Sequence, residues 1–375
     1  MHDPALIKLM DVLNDSHAMQ TLLVGGCVRN WLLGTDVSDI DLASLHTPDT
    51  VIARGQAAGF KVIPTGLDHG TVTVVVDGTS FEVTTLRKDV ETDGRRAVVA
   101  FTDDWREDAQ RRDFTINALY ADLSGHIYDP LGHSMKDIKK RRVVFVGDAT
   151  TRIAEDALRI LRFFRFYGAY GAYGGAVDEE GVKACQDAAD QIKTLSRERV
   201  SQEFFKIVML DNAADILVLM RQKGILVPVI PNQITFPNKT NLSARLYTLM
   251  HYDPAKLTAF QDTLIIPNTL QKQIRAIDAV LHLPPMDHDH AVKVAVYKHG
   301  RDAARQALLI AKIKGDVPDS YMDTALNLIE TWDIPTFPIT GHDLIAKGQK
   351  PGSELGARLK KLEEEWIESG FDNPV

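Results

Sequence analysis

LLVGGCVRNWLLG at residues 22–34, followed after three residues by SDIDLAS at 38–44, decides how the chain begins to fold. Thr21 to Val24 is a short apolar run of the buried-strand kind, Gly25-Gly26 interrupts it, and a helical segment runs on to Leu33. In the second stretch Ile40 and Leu42 alternate with Asp39 and Asp41, the pattern of a second strand. Successive strand side chains point to opposite faces, so both carboxylates share one face while Ile40 and Leu42 turn to the core. Two carboxylates side by side repel unless a cation neutralises them, and an all-oxygen ligand set suits Mg²⁺. Glycine where a strand feeds a helix lets the backbone approach a phosphate, whose charge the helix N-terminus attracts. Arg29, one turn into that helix, reaches toward the same phosphates. A lone DxD is more often a solvated strand end, and a lone Gly-Gly an ordinary turn. Together, 13 residues apart, they describe a metal–phosphate pocket.

Working outward, residues 1–140 read as a mixed α/β unit. MHDPALIKLMDVL reads as the first turns of a helix; without a basic stretch it does not read as a signal peptide. TVTVVV (71–76) and FEVTTL (81–86) are β-branched runs joined by Asp77-Gly78-Thr79-Ser80, a hairpin signal. RKDVETDGRR (87–96) is polar, glycine-containing and aperiodic, which predicts a mobile loop. From about residue 150 a three- and four-residue apolar spacing takes over. It predicts a helix carrying Ile153, Ala157, Ile160, Leu161 and Phe164, then helices over 179–192, 197–211, 213–224, 240–251, 255–281, 290–313, 318–332 and 341–370. Prolines between Val227 and Asn238, at Pro284-Pro285, and at Pro335 and Pro338 punctuate that run. The fold class is α+β, a mixed unit (1–140) followed by helical segments at 141–205, 206–283 and 284–375.

The 375 residues exceed one compact core, and 45% hydrophobic with 25% charged residues is a globular balance that excludes wholesale disorder. No apolar run approaches the roughly 20 residues that span a bilayer. Two cysteines, Cys27 and Cys185, are too few for a disulfide framework or the common zinc spacings, which points to a reducing, cytoplasmic setting. A net charge of -8 argues against indiscriminate binding to polyanions, yet Lys136 to Arg165 holds nine Lys or Arg against four acids. Such a stripe suits RNA phosphates, and it suits a solvated helical face equally well.

Two further clusters carry chemistry. In EDAQRRDFTINALY (107–120), Arg111, Arg112, Asp113 and Asn117 read by pattern as a capped helix start with surface charges. In RIAEDALRILRFFRF (152–166), Asp156, Arg159, Arg162 and Arg165 recur every three residues and climb one side of a helix. An i, i+3 ion pair on an exposed face accounts for the first two. Three arginines beside Phe163, Phe164 and Phe166 crowd like charge at a partly apolar surface, which requires something anionic nearby.

GGCVRN with its downstream DID, then RRDFTINAL (111–119), IAEDALRILRFFRF (153–166) and SRERVSQEFF (196–205) closely resemble the bacterial class II tRNA nucleotidyltransferases, the CCA-adding enzymes, and their poly(A) polymerase relatives. The motifs span residues 21–205, just over half the chain, and ITGHDLIAKGQKPGSELGARLKKLEEEWIESGF (339–371) resembles the C-terminal segment of the same enzymes more loosely. The resemblance implies a polymerase-β-like palm as head (1–140), a neck with a nucleotide-selecting helix (141–205), a helical body (206–283) and a tRNA-binding tail (284–375). It implies that Asp39 and Asp41 hold Mg²⁺, with Glu82 on a neighbouring strand as a third catalytic carboxylate, and that Gly25, Gly26 and Arg29 hold the triphosphate. Arg112 would contact the nucleotide, while Asp113 and Asn117 would position the sugar or brace the site. Asp156 and Arg159 would read the Watson–Crick edge of the incoming base, and Arg162 and Arg165 would continue toward the triphosphate. The implied reaction is template-independent addition of CCA from CTP and ATP, with two Mg²⁺ ions activating the RNA 3′-hydroxyl and stabilising the leaving pyrophosphate. The implied partner is the acceptor arm and 3′ end of tRNA, held largely by shape and backbone contacts, with no membrane and no obligate protein partner.

The chain departs from the family pattern at Asn30, where Asp is usual, and at Ser44, where threonine is common. An amide keeps the hydrogen-bonding reach and loses the charge, which weakens an ion pair made there. Four rivals are distinguishable. EDAQRRDFTIN (107–117) suggests a poly(A) polymerase, against which stands the acidic ending KLEEEWIESGFDNPV, where those enzymes carry a basic extension. Enzymes that add only CC or only A would differ in the loop at 87–100. A non-catalytic RNA-binding module has no reason to keep two mutually repelling carboxylates. MDHDH (286–290) and GHD (341–343) raise a metal-dependent HD-type hydrolase, and read more simply as helix caps and surface histidines.

Overall fold

The computed structural model describes residues 3–14, 19–37, 39–93, 96–225 and 231–372, and the side chains of 89–99 lie outside that description. The chain divides into two compact units, Met1–Pro228 and Val229–Val375. The first begins with α1 (Pro4–Leu13), where the Asp3 carboxylate accepts from the Ala5 N–H at 2.8 Å and Leu6, Leu9, Met10 and Leu13 enter the core. There follow β1 (Thr21–Val24), α2 (Gly26–Leu33), β2 (Asp41–Ser44), α3 (Pro48–Ala57), β3 (Lys61–Gly66), β4 (Thr71–Val76) and β5 (Thr79–Thr85). Then come β6 (Arg87–Asp93), β7 (Arg96–Phe101), α4 (Trp105–Gln110), β8 (Tyr120–Ala121) and β9 (Ile127–Tyr128). The main sheet has the order β3-β4-β5-β2-β1-β8-β9; β2 runs parallel to β5 and the other neighbours are antiparallel. Leu22, Val24, Ala43, Leu86, Ala109, Ala118, Tyr120 and Val146 form one buried cluster on it.

The β4–β5 hairpin falls where the sequence signals it. Asp77 (φ 49°) and Gly78 (φ 86°) both take the left-handed conformation that matches the twist of the flanking strands. The polar segment from Arg87, expected as a loop, is instead paired: β6 and β7 make a separate two-stranded sheet, with the apex 94–95 outside the described residues. Backbone N–H and C=O groups can satisfy each other across strands whatever the side-chain pattern, so the missing periodicity did not exclude a ladder. The helix expected from Asp113 is also replaced. The Val146 N–H donates to Asp113 O at 3.0 Å and the Thr115 N–H to Val144 O at 2.9 Å, leaving one 3₁₀ turn at Thr115–Asn117 before β8.

The rest of this unit is helical: α5 (Ser134–Lys139), α6 (Ala149–Glu155), α7 (Leu158–Phe166), α8 (Glu179–Asp187), α9 (Arg197–Val208) and α10 (Ala213–Gln222). The single helix expected through 153–166 is broken at Asp156, whose extended backbone (φ -156°, ψ 104°) ends α6. A cluster of rings then fixes α7 against the 113–117 turn. Phe114 lies 4.9 Å from Phe145 and 5.3 Å from Phe166, and Phe145 stacks on Phe163 at 5.4 Å. Each fully buried ring contributes roughly 1.5–3 kcal/mol, so the aromatics that flank Arg162 and Arg165 anchor the helix that carries them.

The second unit comprises α11 (Leu242–Leu249), α12 (Leu257–Thr263), α13 (Asn268–Leu281), α14 (Asp289–His299), α15 (Arg301–Lys314), α16 (Met322–Thr331), α17 (Gly341–Ala346) and α18 (Ser353–Glu368). The helix expected over 255–281 stops before Pro267, which opens α13, and that over 290–313 breaks at Gly300 (φ 83°). MDHDH and GHD are structural: His288 bonds Asp287 at 2.6 Å, the Tyr321 hydroxyl donates to Asp289 at 2.6 Å, and Thr340 and Asp343 form the capping box of α17. Among the described residues no helix is long and apolar enough to cross a membrane.

Candidate active site

The site begins where β1 ends. Gly25 adopts φ 71°, ψ -123°, a conformation that L side chains rarely adopt, and so turns the chain into α2 at Gly26. A methyl group on Gly25 would stand 3.5 Å from Arg112 Nη1, and one on Gly26 would stand 3.6 Å from Arg29 Nη2. Two guanidinium groups therefore overhang the two glycines at a helix N-terminus, the arrangement a phosphate requires.

Strand register delivers the carboxylates to the same place. Asp41, the first residue of β2, pairs with Val24 at the end of β1 and, on its other side, with Glu82 of β5. Asp39 and Ile40 precede the strand instead of belonging to it, and Ser38 lies outside the described residues. Exposure still alternates from Asp39 (exposed) through Ile40 (half-buried) and Asp41 (exposed) to Leu42 (buried), as one shared face for the two acids requires. Desolvation, then the Glu82 charge, and more weakly Asp39, push the Asp41 carboxyl above its ordinary range, while Arg112 opposes them. Among the described residues no group of three or more His, Cys, Asp or Glu converges as a ready-made metal cage.

Arg29 is buried, with 7% exposure. Its Nη1 donates to Asn117 Oδ1 at 2.5 Å, Nε and Nη2 to Asn30 Oδ1 at 3.1 and 2.8 Å, and Nη2 also to the Tyr170 hydroxyl at 2.8 Å. Its guanidinium lies 4.3 Å from the Tyr170 ring and 5.1 Å from that of Phe166. Asn117 Nδ2 passes the network on to Asp113 at 2.9 Å, and Asp113 in turn holds Arg162 through Nε at 2.8 Å. One chain of bonds thus joins α2, the 113–117 turn and α7. Burial works against the charge of Asp113, and Arg162 together with the Asn117 amide and the Phe114 N–H outweighs it, keeping the carboxyl below its ordinary value.

Arg112 is set by Asp108, a residue the sequence reading did not single out. Asp108 is 1% exposed and accepts from Arg112 Nη2 at 2.9 Å, Arg111 Nε at 2.9 Å and the Tyr120 hydroxyl at 2.6 Å. Burial alone would raise its pKa; the two guanidinium charges and the hydroxyl overcome that and hold it at about 2. On α7 and its approach, Arg159 meets Glu155, which also holds Arg152 at 3.0 Å; Arg165 meets Glu203; and Asp156 binds Arg199 at 2.7 Å. Asp156 and Arg159 are therefore not an ion pair on one helix face, because Asp156 sits in the break and caps α7 through the Leu158 N–H at 3.1 Å. A cavity of about 300 Å³ opens beside it, lined by Glu155, Asp156, Gln191, Ser196 and Arg199 among others. The crowded arginines find their anions within the protein. Asp108 was discoverable as the i, i+4 partner of Arg112, whereas Tyr170 and Glu203 stand 141 and 38 residues from the arginines they meet and left no local signal.

Known proteins resemble the chain along nearly its whole length. Residues 21–144 match the poly A polymerase head domain family, 176–236 the probable RNA- and SrmB-binding site of polymerase A, and 234–374 tRNA nucleotidyltransferase domain 2. The chain is 33% identical over 376 residues to the mitochondrial CCA tRNA nucleotidyltransferase 1 of Mus musculus, spanning 93% of this chain and 83% of that one. It is 30% identical to the CCA-adding enzyme of Lactobacillus helveticus over 98% of this chain and 94% of that one. Its fold matches the Bacillus stearothermophilus CCA-adding enzyme in complex with CTP at a TM-score of 0.77 and 25% identity, covering 98% and 94% of the two chains. The Thermotoga maritima CCA-adding enzyme, complexed with tRNA, shares the fold at a TM-score of 0.65 and 21% identity, covering 98% and 95%.

Proposed function

We propose, since this chain belongs to the CCA-adding tRNA nucleotidyltransferase family, that it extends the 3′ end of tRNA with CTP and ATP and releases pyrophosphate. The observation that carries the reading is the pairing of Asp41, with the Asp39 charge nearby, against the strand end that feeds the Gly25-Gly26 turn under Arg29 and Arg112, with Arg29 tied by hydrogen bonds to Arg162 of α7. Asp39 and Asp41 would hold Mg²⁺. Burial and the neighbouring Glu82 and Asp39 charges, which lift the Asp41 carboxyl, favour a cation there, and two carboxylates with no closed cage among the described residues suit an ion that also takes water and phosphate oxygens. When bound, the metal supplies Lewis-acid activation of the 3′-hydroxyl and charge neutralisation at the triphosphate. Glu82, in register with Asp41, adds negative charge to the same edge.

Every other contribution comes from the chain itself. The Gly25-Gly26 turn and the start of α2 seat the triphosphate, and Arg29 and Arg112 clamp it from above. Asp113 and Asn117 brace Arg29 against Arg162 and position the sugar. Asp156 and Arg159, flanking the start of α7, face the incoming base as acceptor and donor; releasing Arg159 to the base costs Glu155 little, because it keeps Arg152. Arg162 and Arg165 continue toward the triphosphate. We assign the head to 1–140, the neck to 141–205, the body to 206–283 and the tRNA-binding tail to 284–375, and place the enzyme in the cytoplasm. The test is incubation of the purified chain with tRNA transcripts ending before CCA, after C and after CC, with each nucleotide separately. Addition of C, C and then A, ending there, supports the reading. A run of A, or arrest after CC, assigns the chain to poly(A) or partial addition instead.

A further inference from the structure

The cations around the site fall into two kinds. Arg112, Arg159, Arg162 and Arg165 each meet a carboxylate, of Asp108, Glu155, Asp113 and Glu203 respectively. Arg29 does not. Among the described residues its four hydrogen bonds all end on neutral acceptors (the amide oxygens of Asn117 and Asn30 and the hydroxyl of Tyr170), and two aromatic faces cover the guanidinium. Asp113 makes no hydrogen bond to it and is held one residue away by the Asn117 amide, so its charge supports Arg29 more weakly than the adjoining Tyr170 does. Burying a charge without a counter-charge is costly, and here desolvation lowers the Arg29 pKa despite the help of Tyr170. A protein keeps such a group when an outside anion completes it, and the space beside Arg29 is the cradle over Gly26.

Asn30 is what makes the arrangement specific to this chain. Its Oδ1 accepts from Arg29 and, at 3.2 Å, from the Tyr170 hydroxyl, while its Nδ2 donates to the backbone oxygen of Asp36 at 2.8 Å. Both halves of the amide are used, and a carboxylate could not make the Asp36 bond. We infer that Asn30 and Tyr170 are positioning residues that hold Arg29 with neutral groups, so that its full charge is reserved for the triphosphate. An aspartate in place of Asn30, the usual residue in this family, would neutralise part of that charge inside the protein. Tyr170 lies on the π-turn Tyr167–Gly171 that continues α7, so the same hydroxyl aligns the phosphate arginine with the nucleotide-selecting helix.

The inference rests on the assignment of Arg29 to the triphosphate, and the experiment separates the two. Inorganic tripolyphosphate is used as a competitor of CTP, and its Ki is measured with the KM values for CTP, ATP and tRNA in the wild type and in Asn30→Asp, Tyr170→Phe and Arg29→Lys. Asn30→Asp is expected to raise the tripolyphosphate Ki and both nucleotide KM values together, by about tenfold, with the KM for tRNA and the choice between CTP and ATP unchanged. Tyr170→Phe, which keeps the ring and loses the hydroxyl, moves the same constants in the same direction by a smaller factor. A merely structural role would lower kcat or the folded fraction without this phosphate-specific pattern. If Arg29→Lys weakens tripolyphosphate and Asn30→Asp and Tyr170→Phe do not, the inference is overturned and the assignment of Arg29 stands. If Arg29→Lys leaves the Ki unchanged, the assignment itself fails and the inference with it.

Discussion

Replacing Asp108 by Asn is the perturbation with the best-defined size. The carboxylate is 1% exposed and gathers Arg111, Arg112 and Tyr120 within 2.6–2.9 Å. Its pKa falls from 3.8 to about 2, and at about 1.4 kcal/mol per unit this favours the folded state by about 2 kcal/mol. Removing one partner of a fully buried pair costs about 3–5 kcal/mol. Here the arginine side chains keep 16% and 18% exposure, so water relieves part of the loss and the expected cost is about 2–3 kcal/mol. The sign with pH follows from the depressed value: the contribution is complete above the unfolded pKa near 3.8 and is lost as pH falls toward 2. Urea denaturation by tryptophan fluorescence, with Trp105 edge-on to Tyr120 at 5.1 Å as a local reporter, should show the loss at pH 7 and a flatter acid limb in Asp108→Asn. Because Asp108 holds Arg112 over Gly25, the nucleotide KM should rise in the same variant. A variant that loses less than about 1 kcal/mol and keeps the wild-type acid slope would refute the reasoning.

Asp39→Ala or Asp41→Ala should abolish nucleotide addition while gel-shift affinity for tRNA stays near wild type; normal turnover in either would remove the metal assignment. Arg159→Ala should blur the choice between CTP and ATP more than it raises either KM, measured by misincorporation on tRNA ending in C or CC, and a sharp choice in the variant would end the base-reading role. Gly25→Ala forces a side chain into φ 71° beside Arg112, so it should cost about 1–3 kcal/mol and lower the melting temperature by several degrees; an unchanged melting curve by calorimetry would show that the turn relaxes freely.

Much of the site was legible because its parts are local. Strand, glycine pair, helix and DxD lie within 24 residues, Thr21 to Ser44, and backbone geometry alone sets where Gly25, Arg29 and the two acids point. Apolar spacing likewise located most helices, although not the interruptions before Pro267 and at Gly300, where a periodic pattern runs on through a residue that cannot continue the helix. The break at Asp156 was invisible for a related reason. A side chain that caps the next helix and pairs with Arg199 leaves the i, i+3 spacing intact.

By itself the sequence determined which groups exist at which spacing along one element: the glycine turn, the adjacent acids, the row of arginines. Tertiary structure alone decided which groups on distant elements meet. Phe114, Phe145, Phe163 and Phe166 draw α7 onto the 113–117 turn, and that packing delivers Arg162 to Asp113 and Tyr170 to Arg29 across 49 and 141 residues. Spacing along a chain is set by bonds and dihedrals, which any stretch of sequence carries with it. Partnership across the fold is set by burial of apolar surface, which exists only once distant elements have met.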